Sequence, residues 1–92
     1  MSRTVPDGEL DRRLAAVVAA QLDVESMRLH PGARLGEDLC VDSLAALELG
    51  LVIEDEFDIA IAEEQRERIR TYGDIRAIVE SLVSERDDGS SP

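Results

Sequence analysis

The chain has 92 residues, enough for one small domain whose core is near the lower limit for folding alone. Its ten positive charges are all arginine, against twenty-one acidic residues and a net charge of −11, so it repels nucleic acid and anionic membrane and suits basic partner surfaces. Phe57 and Tyr72 are the only aromatics and there is no tryptophan, which excludes a base-stacking surface.

In chain order, residues 1–7 are polar and carry Pro6, and read as a flexible arm. Leu10, Leu14, Val17, Val18 and Leu22 then recur at helical spacing. Asp7 or a neighbour caps this first helix, and Glu9 and Asp11 suit its positive end. From Asp23 to Asp42 the periodicity stops, and His30-Pro31-Gly32 marks a turn inside a long connection. Loops of this length in a small domain tend to be functional. Met27, Leu29, Leu35 and Leu39 are expected to pin it to the core.

Asp42 is placed to cap a second helix running to about Phe57. A brief, highly charged third helix spans Glu63 to Ile69, anchored by Ile61 and Ile69. Thr71 with Asp74 three residues on makes a capping box with Asp for the usual Glu. Behind it Ile75, Ile78, Val79, Leu82 and Val83 share one helical face. Residues 86–92 read as a disordered tail. The expected fold is all-α: a small four-helix bundle over 8–85, with three main helices, one short helix and a long loop between the first two.

The lone cysteine, Cys40, excludes an intrachain disulfide and suits a reducing cytosol. It reads as a small buried hydrophobe. No run is apolar enough to span a membrane and no signal-peptide pattern opens the chain, so a cytoplasmic monomer is expected. One Cys, one His and no EF-hand pattern leave no specific metal site.

The acidic excess is concentrated. Residues 31–62 hold eight acidic side chains against Arg34 alone, which favours a docking surface over general solubility. Advancing about 100° per residue puts Ala46, Leu49, Ile53 and Phe57 on one side of the second helix. Leu44, Leu47 and Leu51 fall on the other, with Glu48 and Asp55 among them and Glu54 at the edge. That second stripe either faces a partner, as leucines rimmed by carboxylates would, or lies under the long loop as core.

Ser43 is the one residue with a chemical choice. It can be a helix-start hydroxyl, but Asp42 already serves as the cap. A hydrolytic nucleophile needs a base and an oxyanion hole. The chain has no lysine and its single histidine, His30, sits in a turn; no G-x-S-x-G elbow surrounds the serine. What remains is a serine modified by another enzyme, at a helix end that favours a phosphate.

LCVDSLAALELGLVIEDEFDIAIAEE resembles the region around the modified serine of acyl carrier proteins. The shared features are Asp-Ser-Leu, the Leu three residues on, Glu48-Leu49, the acidic run into Phe57 and Asp-Ile-x-Ile; the likeness continues through Thr71, Asp74 and the last helix. The resemblance implies that a phosphopantetheinyl transferase moves 4'-phosphopantetheine from coenzyme A onto Ser43, flanked by Asp42 and Leu44. The chain would then be a carrier, not an enzyme. It would deliver acyl groups to acyltransferases, ketosynthases or related enzymes of polyketide or fatty acid biosynthesis, through basic patches on those partners. Carried over by motif, Leu44, Leu47, Glu48, Leu51, Glu54 and Asp55 form the docking face, extended by Ile61 and Glu63. An aminoacyl or peptidyl carrier and an unmodified helical interaction module are the other readings. Asp42 and the acidic second helix count against the aminoacyl carrier, which more often has Gly-Gly-His/Asp-Ser.

The chain departs from the family pattern in places. Cys40-Val41 stands where Gly and a small residue are frequent, and Ala60 and Ala62 where an acidic residue and proline are. Gly50 replaces an aliphatic residue inside a helix, at about 1 kcal/mol relative to alanine; the expectation is that it makes room beside an attached acyl chain.

Overall fold

The computed structural model describes the backbone of residues 7–89 and the side chains of residues 8–85. In order come α1 (Asp7–Leu22), a single 3-10 turn (Ser26–Arg28), α2 (Ser43–Phe57), α3 (Glu63–Glu67) and α4 (Tyr72–Gly89). These are the three long helices and one short helix of the expected all-α bundle. The backbone of α4 runs to Gly89, past the expected boundary at residue 85. The rest of the expected tail, 90–92, and the expected arm up to residue 6 lie outside the described residues.

Helical spacing builds one core. Leu10, Leu14 and Val18 of α1 meet Leu49, Ile53 and Phe57 of α2 and Tyr72, Ile75 and Val79 of α4. Leu14, Val18, Ile53 and Val79 are the fully enclosed centre. Burial of a whole aliphatic side chain contributes about 1.5–3 kcal/mol, so these residues dominate the stability of so small a domain.

Several helix ends within the described residues are closed by local chemistry. Asp23 follows α1 with φ 57° and Asp58 follows α2 with φ 56°, a left-handed conformation that aspartate tolerates. At α4 the capping box is real: Thr71 Oγ1 accepts the Asp74 N–H at 3.2 Å, and Asp74 Oδ2 accepts the Thr71 and Arg70 N–H groups at 3.1 and 2.8 Å. The Arg70 amide first, and Thr71 with it, hold the Asp74 carboxyl below the usual aspartate range. Ala62, before α3, has no side-chain acceptor, so only half a box forms there: Gln65 Oε1 accepts the Ala62 N–H at 3.0 Å.

The long connection is ordered by backbone pairing. His30 O accepts the Ala33 N–H at 2.9 Å, closing the expected turn. The loop then pairs with the α3–α4 junction: Leu35 N–H donates to Arg70 O at 3.0 Å, Tyr72 N–H to Ala33 O at 2.9 Å, and Gly73 N–H to Pro31 O at 3.0 Å. Arg34 and Thr71 form a single antiparallel bridge between them. Asp38 Oδ2 accepts the Arg34 N–H at 2.8 Å, and that backbone bond lowers the carboxyl pKa.

Leu29, Leu35 and Leu39 anchor the loop in the core as expected. Met27 does not: it is 80% exposed, because it lies in the middle of the tight 3-10 turn, which buries none of its residues, and Leu29 takes the inward place just after it. Cys40 is also exposed rather than buried. Leu39 fills the core position, and at Cys40 the backbone turns through φ 58°.

Candidate attachment site and docking face

The loop delivers the chain to α2 through Val41, whose N–H donates to Leu35 O at 2.8 Å. Asp42 is extended, and its Oδ1 accepts the Ala45 N–H at 2.8 Å while its carbonyl takes the Ala46 N–H. Asp42 is thus the N-cap in fact as well as in pattern. Asp42→Ala is expected to lower stability by about 1 kcal/mol, read as a shift of the urea midpoint by circular dichroism. An unchanged midpoint would remove the cap from the list of stabilising contacts.

With Asp42 as cap, Ser43 is the first residue of α2, exposed, and its hydroxyl makes no hydrogen bond among the described residues. The Ser43 and Leu44 amides precede the first intrahelical bonds and sit at the positive end of the helix. His30 stays exposed in its turn.

The two sides of α2 separate much as the helical wheel requires. Leu49, Ile53 and Phe57 are buried, whereas Leu44, Leu47 and Leu51 are 63%, 45% and 53% exposed. The loop is tied to the opposite junction and does not cover them. Ala46, expected on the core side, is exposed.

Ion pairing sorts the carboxylates further. Arg34 pairs with Glu37 and Asp38, Arg13 with Glu56 at 3.1 Å, and Arg66 approaches Glu54 at 3.5 Å. Arg13 also lies over the Phe57 ring, 4.9 Å from its centre, so Glu56 belongs to the α1–α2 joint. Glu48 and Asp55 are exposed and join no ion pair among the described residues. The charge left unneutralised on α2 therefore flanks the exposed leucines.

Two residues assigned to this face by motif are elsewhere. Ile61 is 6% exposed and part of the core, since it anchors the link between α2 and α3. Glu54 turns inward: its Oε2 accepts the Ile61 N–H at 2.7 Å and faces Arg66. It braces that link rather than the surface. Glu63 remains exposed at the start of α3.

Behind α2 lies a cavity of about 70 Å³ lined by α2 residues Ala46, Leu49, Gly50 and Ile53, by Ile61, Arg66 and Ile69, and by Ile75 and Ile78 of α4. Gly50 forms part of its wall: a Cβ added there would lie 3.8 Å from Arg66 Nε. Sequence reasoning missed Arg66. It stands in the charged segment Glu63–Arg70, where five-residue α3 is too short for periodicity to separate inner from outer positions.

Residues 12–80 match the family described as the phosphopantetheine attachment site. The chain belongs to this family. It is similar to the acyl carrier protein of Akkermansia muciniphila, 32% identical over 83% of this chain and 95% of the relative. It resembles that of Thermosynechococcus vestitus at 34%, over 83% and 94%, and that of Helicobacter hepaticus at 41%, over 72% and 87%.

The family's cofactor is covalent 4'-phosphopantetheine, and its members are carriers, not enzymes. The residues at the start of α2 fit such a group. An exposed hydroxyl without a hydrogen-bond partner is free for attachment, and adjacent free amides suit a phosphate. Among the described residues no helix is long and apolar enough to cross a membrane.

Proposed function

We propose that the chain is an acyl carrier protein of fatty acid or polyketide biosynthesis, with 4'-phosphopantetheine attached to Ser43. The observation that carries this reading is the division of labour at the start of α2. Asp42 closes the helix, Ser43 is left exposed and unbonded, and the unpaired face of Leu44, Leu47, Glu48, Leu51 and Asp55 begins one residue later. When bound, the cofactor supplies a thiol on which acyl groups ride as thioesters. The chain's own residues do the rest. The Ser43 and Leu44 amides favour the phosphate, the leucines offer partners apolar contact, and Glu48 and Asp55 guide basic enzyme surfaces into register. Glu63 extends this face from α3. The cavity behind α2 is the place where an acyl chain folds back out of water.

The test is to incubate the chain with coenzyme A and a broad-specificity phosphopantetheinyl transferase and weigh it. A single phosphopantetheine increment is expected; none would leave a helical interaction module as the better reading. The docking face has its own check. Glu48→Lys is expected to slow transferase loading roughly fivefold at low ionic strength, with the difference shrinking as salt screens the attraction. A salt-independent or unchanged rate would take Glu48 off the face.

A further inference from the structure

The cavity wall is apolar except for one donor. Arg66 Nη2 is engaged, donating to Ile61 O at 3.3 Å and lying 3.5 Å from Glu54 Oε2. Arg66 Nε is buried and has no hydrogen-bond partner. It is also the heavy atom nearest to the place where a Cβ on Gly50 would stand. A buried N–H without a partner is costly, and a donor on a charged group gains most from an acceptor brought to it. The Ile53, Ile61 and Ile75 side chains that line the cavity with it offer none, and the Ile61 carbonyl is taken by Nη2.

We infer that Arg66 is a specificity-determining residue for the cargo, its Nε–H donating to an oxygen on the acyl chain, so that oxo- or hydroxyacyl groups are sheltered in preference to saturated chains of the same length. The inference rests on the carrier reading. A saturated chain placed beside Arg66 covers the donor without satisfying it. A chain with a carbonyl or hydroxyl at that depth satisfies it inside a low-dielectric site, where a hydrogen bond counts most. Gly50 adds to the effect because α2 carries no Cβ beside the Nε; one added there would touch it at 3.8 Å. It lies seven residues beyond Ser43, about 10 Å along the helix axis, so the far part of the arm and the chain it carries, rather than its phosphate end, come near it. The Glu54–Arg66–Ile61 contacts hold the guanidinium tip and so fix the position of the Nε.

The experiment loads Ser43 from the coenzyme A thioesters of octanoate and of β-oxo-octanoate and follows two readouts. In the intact chain, the Arg66 Nε–H resonance is expected to move with the β-oxo cargo and not with octanoyl. In hydroxylamine, the β-oxo thioester is expected to be cleaved about tenfold more slowly on the wild-type chain than on Arg66→Met, as one charge-assisted hydrogen bond would give. Octanoyl should be cleaved at the same rate on both, and comparing variants with one cargo cancels its intrinsic reactivity. An unmoved Nε–H overturns the inference. So does equal movement with both cargos, which would assign the donor to an acceptor they share, the thioester carbonyl or an amide of the arm. The resonance test needs no variant and stands even if Arg66→Met folds poorly. Loading without the Arg66 response sinks this inference and leaves the carrier standing, whereas no loading at all sinks the carrier reading itself.

Discussion

Ser43→Ala is expected to take up no phosphopantetheine from coenzyme A while folding as well as the parent chain. Under the proposed attachment the loss should be complete, because the Ser43 oxygen is then the atom that bonds to phosphorus. The retained stability follows from geometry. The Ser43 hydroxyl makes no hydrogen bond among the described residues, and Asp42 Oδ1, not Ser43, receives the Ala45 N–H. Alanine is also the better helix former, by a few tenths of a kcal/mol. The urea midpoint should therefore stay level or rise slightly. Intact-mass measurement and a denaturation curve on the same sample separate the possibilities. Residual modification would move the attachment to another hydroxyl. A large drop in stability would mean that Ser43, rather than Asp42, closes the helix.

The residues that make this prediction sharp were largely legible before the fold was known. A helix sixteen residues long repeats its inward positions often enough for Leu10, Leu14 and Val18 to declare themselves. The same holds for α2, where both the buried and the exposed stripes could be read. Short elements are different. The 3-10 turn at Ser26–Arg28 carries too few residues for a pattern, and Met27 reads as an anchor because methionine is apolar, although the turn holds it outward. Cys40 shows a second limit: burial of a small residue depends on backbone conformation, and composition does not reveal a φ of 58°. Glycine adopts that conformation without penalty; cysteine bears a cost of about 1 kcal/mol. Glu54 and Ile61 show a third limit. Motif and wheel place a residue on a helix edge, but only packing shows that a neighbouring backbone N–H, that of Ile61, has claimed the Glu54 carboxylate.

Gly73→Ala is the variant expected to damage the fold most, against the direction that helix propensity alone would give. Gly73 is the second residue of α4, and alanine inside a helix is ordinarily worth up to about 1 kcal/mol over glycine. Here an added Cβ would stand 2.8 Å from Pro31 O and 3.3 Å from Pro31 Cα. Those are backbone atoms of the loop and cannot swing aside as a side chain would. The same carbonyl accepts the Gly73 N–H at 3.0 Å, with the Tyr72–Ala33 and Leu35–Arg70 bonds next to it. Relieving the clash means lifting the loop from α4 and loosening all of these bonds together. A net loss of about 3 kcal/mol is expected, a large part of the margin of a domain this small. Gly8→Ala is the control: nothing lies within 4 Å of its added Cβ, so propensity should act alone and raise the urea midpoint. A gain at both positions would show that the loop is not clamped at Pro31. A loss confined to Gly73 would confirm the clamp, and it reaches function, because the clamped loop continues through Leu35 and Val41 into the turn that presents Ser43. Transferase loading of Gly73→Ala, measured well below its unfolding midpoint, should then slow as well, since the serine is held less firmly in place.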